Sequence, residues 1–456
     1  MATVEALIFA LQRRGIATAR ELAAELGVSQ PTLSRLVTRA RASAAVVSIG
    51  KARAARYAAV DPTTSFRGGV TVHRVDAEGR IAPFGRLVPL VGGSVFFGEL
   101  GAEDRTGTVR ERQEQFEQIA RGLPWFVEEL RPQGFLGRLF ARSLPRELAV
   151  PADPRLWTAD QLLRALVHRA EDLPGDLLIG DAARERHLER LLSPTEVGRA
   201  GYEAVVARQL EGDAPGSSAG GEQPKFACTA PGRRALIVKY SPPLDASRSA
   251  RRWADLLLCE HLALETLRAG GVAAARSAYV ELDGRAYLEV ERFDRTAHGR
   301  VAVVSGTTVD AEFVGSGAWV ALAEGLVGQQ RLSREGLDGV RLLHLFGGLI
   351  GNTDMHLGNI AFFTDDYATF RLAPAYDMLP MALRPTTHGE LPKVEPALPM
   401  PGDEAWARAA DLAEALHARM REVLVDVDVR AFAERSLAKL GALRRVARLT
   451  GASPRG

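Results

Sequence analysis

Asp354 and Asn359 lie in the run Gly351-Asn352-Thr353-Asp354-Met355-His356-Leu357-Gly358-Asn359-Ile360, an Asp-x4-Asn spacing, and Asp377 follows eighteen residues after Asn359. Phosphoryl transfer from a nucleoside triphosphate needs three such side chains. One carboxylate, here Asp354, orients the acceptor hydroxyl and accepts its proton, while an amide and a second carboxylate, here Asn359 and Asp377, hold Mg²⁺ against the phosphates. The short spacing lets both side chains of one loop converge on a γ-phosphate. Any single Asp-x4-Asn is common, so the reading depends on what precedes it.

Upstream, Leu236-Ile237-Val238-Lys239 is an apolar strand ending in a lysine. A helix expected from Arg251 to Ala269 buries Leu256, Leu257, Ala263, Leu264 and Leu267, and Glu260 falls in the middle of that stripe. An unpaired acid there would cost several kcal/mol, so Lys239 is its natural partner. A strand lysine paired to a helix glutamate is how protein kinases hold the α/β-phosphates. A purely structural ion pair, or a glutamate reaching solvent, are the alternatives at this point. Pro215 to Lys225 is a Gly- and Ser-rich turn, with Ser217, Ser218, Gly220 and Gly221, that can bring backbone N–H groups onto phosphates. Taken singly it is only a turn. Leu288 to Arg295 reads as a strand running into a polar turn, the place of the adenine hinge in a kinase.

The elements that position these groups are an apolar helix through Leu342, Leu343, Leu345, Phe346, Leu349 and Ile350 before the loop, and a hairpin from Ala361 to Leu372 turning at Thr364-Asp365-Asp366. No Gly-x-Ser-x-Gly elbow follows a strand, which argues against a Ser-His-Asp hydrolase. No His or Cys stands at ligand spacing around His356, so a hydrogen bond bracing the loop is its expected role.

The first sixty residues differ in character. They hold nine Lys/Arg against three acids, about +6, and the whole chain is only +2, so the remainder is about −4. Val4, Leu7, Ile8 and Leu11 form one helical stripe ending near Gly15. Thr18 and Glu21 form a capping box for a second helix. Gly27 turns the chain, and Ser29 caps a third helix that buries Leu33, Leu36 and Val37. Helix, Gly turn and capped basic helix are the helix-turn-helix layout, followed by a basic two-stranded wing over Ala45 to Ala58. Double-stranded DNA is the expected partner of residues 1–62. Gln30, Thr32, Ser34, Arg35 and Arg39 are the exposed positions of that third helix. Gln30, Thr32 and Arg35 can reach base edges, Arg39 and Arg41 suit phosphates, and Lys51, Arg53 and Arg56 lie in the wing. Such modules often dimerise on two half-sites, which makes a homodimer the expectation.

Between 66 and 200, Val70 to Val88 reads as a small β-element, 107–131 as helical, and Asp172 to Asp176 as a sharp loop before Leu177-Leu178-Ile179. At 456 residues the chain is longer than one domain, and 46% apolar and 25% charged residues mark a globular protein. Two cysteines, Cys228 and Cys259, cannot build a disulfide framework. No run approaches the ~18 apolar residues of a membrane span, so a cytoplasmic protein with no membrane partner is expected.

Ser-Ser-Ala-Gly-Gly-Glu-Gln-Pro-Lys (217–225), Val-Lys-Tyr-Ser (238–241), Glu-Arg-Phe-Asp-Arg (291–295), Asn-Thr-Asp-Met-His-Leu-Gly-Asn (352–359) and Leu-Ala-Pro-Ala-Tyr-Asp (372–377) together resemble the HipA-like toxin kinases. Within them, the chain is similar to the YjjJ-like branch, with its fused N-terminal winged helix. The resemblance runs from about 66 to 440. It implies an α+β, two-lobed protein-kinase-like fold: an N-lobe over 66–295 and a mostly helical C-lobe over 296–450. It implies ATP and Mg²⁺ as ligands, and serine phosphorylation of a protein, an aminoacyl-tRNA synthetase in the best-known members. Glu291 and Phe293 would line the hinge and Asp294 would touch the ribose. Ser217 or Ser218 would be the site of a silencing autophosphorylation. Many members take DNA binding from a separate antitoxin, whereas this chain carries its own basic module, which puts the need for an antitoxin in doubt. The rival expectations are a nucleotide-sensing DNA-binding regulator without turnover and a small-molecule kinase.

Overall fold

In the computed structural model, residues 2–50, 55–98, 118–210, 223–402 and 404–450 are described. The Gly-rich segment with Ser217, Ser218, Gly220 and Gly221, and the wing tip with Lys51 and Arg53, lie outside them. The chain divides into two units, 1–133 with 140–193 and 134–139 with 194–456. The boundary expected near 62–66 therefore lies inside the first unit, and that at 295–296 inside the second.

The first unit begins with α1 (Val4–Arg14), β1 (Ile16–Thr18), α2 (Ala19–Leu26), α3 (Gln30–Ala42), β2 (Val46–Ile49) and β3 (Arg56–Ala59). The Thr18–Glu21 capping box forms in full, and Gly27 takes the left-handed conformation that ends α2. Leu7, Leu11, Leu22, Leu33, Leu36 and Val37 make the core these helices share. The expected two-stranded wing gains a third strand, in the order β1-β3-β2, because Ile16–Thr18 pairs with Arg56–Ala58. That strand was hidden between two helix signals and is only three residues long.

Next comes a five-stranded antiparallel sheet of order β7-β6-β5-β4-β8. It is built from β4 (Val70–Val75), β5 (Ile81–Pro89), β6 (Ser94–Gly98), β7 (Gln118–Arg121) and β8 (Leu177–Ile179). The helix expected over 107–131 is corrected in its described part. Gln118–Arg121 pairs with β6 instead, and only Trp125–Glu128 is helical. Gly122 at φ +81° and Pro124, which has no N–H to donate, stop any helix from running through.

The second unit holds a four-stranded antiparallel sheet, β11-β12-β10-β9. Its strands are β9 (Lys225–Ala230), β10 (Arg234–Tyr240), β11 (Ser277–Leu282) and β12 (Arg285–Glu291). Strand alternation divides its two faces. Leu236, Val238, Tyr240 and Tyr287 pack on the Tyr202–Leu210 helix. Ala286, Leu288 and Val290 pack on α4 (Arg248–Ala269), which starts at Ser247, whose Oγ accepts the Ala250 N–H. The rest is a small sheet of β13 (Val303–Ser305), β14 (Ala361–Phe363) and β15 (Arg371–Leu372), with α5 (Arg334–Ile350), α6 (Glu404–Val423) and α7 (Val427–Thr450) packed in series.

α5 ends at Gly351 in the left-handed conformation, φ +78°, and so aims the chain into the Asn352–Asn359 loop. A Cβ there would stand 2.8 Å from Phe432 Cζ. Gly351→Ala is therefore expected to lose about 1–2 kcal/mol by strain and crowding together, read as a lower urea midpoint with an unchanged m-value.

Candidate active site

Lys239 is the penultimate residue of β10, on the α4 face, and is 6% exposed. Its Nζ donates to both Glu260 oxygens at 2.7 Å and also to Asp377 Oδ1. Glu260 is 1% exposed, and its charge is compensated chiefly by this lysine, with Lys225 adding to it. Burial pushes the Glu260 carboxyl up, with Asp377 adding to that and Lys239 opposing it. Burial would raise Asp377 as well, but the Lys239 ammonium, helped by Lys225 and His356, offsets it, and together they hold Asp377 at about 2. Burial alone would lower Lys239; its two carboxylates raise it instead.

Asp377 stands at φ +53°, unusual for a residue with a side chain. Asn352 holds it there, donating from Nδ2 to the Asp377 carbonyl at 3.2 Å, while its Oδ1 accepts the Asp354 N–H at 3.0 Å. Asn352 is 4% exposed and ties the loop of Asp354 to the segment of Asp377. Asn359 Nδ2 donates to the Asp354 carbonyl at 2.8 Å, which fixes the amide and leaves its Oδ1 without a hydrogen bond among the described residues. Asp377 Oδ2 is likewise uncommitted there, and the side chain keeps 25% of its surface exposed. An amide oxygen and a carboxylate oxygen are the donors a hard cation such as Mg²⁺ takes, so the pair fits that ion.

His356 braces the loop as expected: Nδ1 accepts the Gly358 N–H at 3.0 Å, and its carbonyl accepts Trp319 Nε1–H at 2.8 Å. Tyr376 OH donates to the Gly358 carbonyl at 2.8 Å. Phe293 packs on Phe363 and Tyr376, with ring centres 5.8 and 5.7 Å away. Glu291 ends β12 and pairs with Arg234 at 3.3 Å. Asp294, 5% exposed, is held by Arg292 at 2.9 Å and Arg295 at 2.7 Å.

Lys239, Glu260, Asp354, Asn359 and Asp377 are thus linked by one set of hydrogen bonds. Sequence reasoning missed Asn352, though it stands two residues before Asp354. It also missed Lys225, which lies directly across from Lys239 in the β9–β10 pair and so on the same face. The end of the Gly-rich turn, read as a strand register, was the available signal for Lys225.

On the recognition helix expected of α3, Gln30, Ser34, Arg35 and Arg39 are exposed and Thr32 is half-buried. Thr32 Oγ1 lies 3.1 Å from Ser29 Oγ, within a side-chain hydrogen bond.

A strand lysine held by a helix glutamate, followed by an Asp-x4-Asn loop and a second aspartate, places the second unit in the class of α+β, protein-kinase-like folds of HipA type. A family model described as "HipA-like C-terminal domain" matches residues 217–437, and one described as "YjjJ-like toxin, middle domain" matches 67–188. The protein called Toxin YjjJ in Escherichia coli (strain K12) is 37% identical over 391 residues, 83% of each chain. The chain belongs to the YjjJ-like branch of the HipA-like family. Among solved structures, a chain of the Shewanella oneidensis MR-1 HipA, HipB and operator DNA complex is 16% identical, with a TM-score of 0.47 over 84% of this chain and 97% of that one. The Helicobacter pylori proinflammatory kinase CtkA is 12% identical, with a TM-score of 0.36 over 52% of this chain and 96% of that one. Among the described residues, no helix is long and apolar enough to cross a membrane.

Removing the Lys239 ammonium leaves two carboxylates facing one another in a buried site. Lys239→Met is expected to cost about 3–5 kcal/mol, the scale of an orphaned buried charge. Adding Glu260→Gln should recover part of the loss, which thermal melts of the double-mutant cycle would read as coupling between the two positions.

Proposed function

We propose that this protein is an ATP- and Mg²⁺-dependent serine/threonine protein kinase of the HipA toxin type, carrying its own DNA-binding module. The observation that supports it most is the linked set of Lys239, Glu260, Asp354, Asn359 and Asp377. In this reading Lys239 meets the α/β-phosphates, and the backbone from Glu291 to Phe293 receives the adenine. Asp294, committed to Arg292 and Arg295, shapes the ribose side. Asn359 and Asp377 would hold Mg²⁺, which would supply positive charge against the phosphates. Asp354 accepts the proton of the acceptor hydroxyl as that oxygen bonds to the γ-phosphorus and ADP departs. The acceptor is a protein serine, an aminoacyl-tRNA synthetase by family likeness. Ser217 or Ser218 is the self-modified site that silences the enzyme.

Purified, phosphatase-treated protein incubated with γ-labelled ATP and Mg²⁺ should label itself at Ser217 or Ser218. Asp354→Ala should lose at least about a hundredfold in rate, the scale of removing a positioned base. ATP binding without label in the dephosphorylated wild type would instead support a nucleotide sensor, and label on a metabolite pool a small-molecule kinase.

We also propose that α1 to β3 form a winged helix-turn-helix that binds duplex DNA as a dimer, through Gln30, Thr32, Ser34, Arg35, Arg39 and the wing residues Lys51 and Arg53. The +6 charge of the first sixty residues and the exposure of Arg35 and Arg39 support this. Arg39→Ala should weaken binding on all sequences and lower the salt slope by about 1. An unchanged slope in gel-shift titrations would remove Arg39 from the interface.

A further inference from the structure

Among the described residues, Arg252 is the largest side chain that is fully out of solvent, at 0% exposure. It lies on α4, eight residues before Glu260 on the same helix, and the catalytic chemistry above does not use it. Its Nε and Nη2 donate to the two Asp426 oxygens at 2.9 and 3.0 Å, and Nη2 also reaches Asp428 Oδ2 at 3.1 Å. Nη1 donates to the Leu383 carbonyl at 3.1 Å. Leu383 closes the short turn Met381–Leu383, six residues after Asp377. Asp255, one turn further along α4, accepts the Asp426 N–H at 2.6 Å. Asp426 in turn caps α7, accepting the Asp428 N–H at 2.8 Å.

We infer that Arg252 is a positioning residue that locks the helix bearing Glu260 to the segment bearing Asp377 and to the start of α7. A lysine held between two carboxylates works only if both stay in place: Glu260 is on the helix that carries this guanidinium, and Asp377 is on the segment that the guanidinium holds through the Leu383 carbonyl. The other end of α4 is fastened to α6 as well. Arg419 binds Glu265 at 2.6 Å, and Arg408 donates to the Gly270 carbonyl at 3.2 Å. α4 is therefore held against the C-terminal helices at both ends, and the Lys239 site stands assembled before nucleotide arrives. A buried guanidinium with a fixed fork is suited to this, since it joins a carboxylate pair and a carbonyl in one plane.

This inference rests on the kinase reading for its activity arm only. Hydrogen exchange on the nucleotide-free wild type should find α4 amides from Leu256 to Glu260 among the slowest, and a non-hydrolysable ATP analogue should slow them no further. Sharp slowing on nucleotide would overturn the inference, because the helix would then be held by ligand. In Arg252→Lys those amides should exchange about tenfold faster than any fall in the urea midpoint accounts for. The kcat should fall about tenfold to a hundredfold, as for catalytic groups displaced by part of an ångström, and half-maximal activity should need more Mg²⁺. If that variant does not fold, Arg252→Met with Asp426→Leu removes both charges together and keeps the volume. A folded variant with wild-type exchange, kcat and Mg²⁺ dependence would overturn the assignment. Wild-type protein that binds no ATP would sink the kinase reading while leaving the exchange result standing.

Discussion

A buried ammonium is stable only where carboxylates meet it, and Lys239 has two, on separate elements. β10 supplies the lysine, α4 supplies Glu260, and the chain after β15 supplies Asp377. Much of the second unit can be read as the means of bringing these three together. One face of the β9–β12 sheet is packed by the Tyr202–Leu210 helix, which frees the other face for α4. α5 delivers the Asn352 loop, and Asn352 stitches that loop to Asp377. The positive φ of Asp377 is the local strain this convergence requires.

The parts of this arrangement that were legible in the sequence are those whose signals are local. The Thr18–Glu21 box, the Gly27 turn, the Asp366-centred hairpin turn and the loop brace of His356 all depend on residues within a few positions of each other. The Lys239–Glu260 pair spans twenty-one residues, yet it could be read because an acid in an apolar helical stripe demands a partner. What was missed is non-local or cryptic. Arg252 and Asp426 are 174 positions apart, and nothing in either neighbourhood indicates the other. β7 was read as helix because Gln118–Arg121 is too short to show a strand period and gains its identity from β6.

Family membership and site geometry bear on different parts of the chain. Likeness to the E. coli relative extends over 83% of it and establishes kinship. The hydrogen bonds around Lys239 say how the chemistry would be arranged, and they stand without reference to any relative.

The sheet of the N-terminal helices does not end where its own strands end. Ile49 and Ala58 share a core with Val88, Leu90 and Phe96, and the Val91 N–H donates to the Ala59 carbonyl. The basic module is thereby welded to the sheet that follows instead of hanging on a tether. A fusion of that kind cannot be undone by trimming the chain at residue 62, because the cut would lay bare Phe96 and its neighbours. Substitutions on the inner side of β2 and β3 must suit the sheet behind them, while the exposed side of α3 meets no such packing constraint.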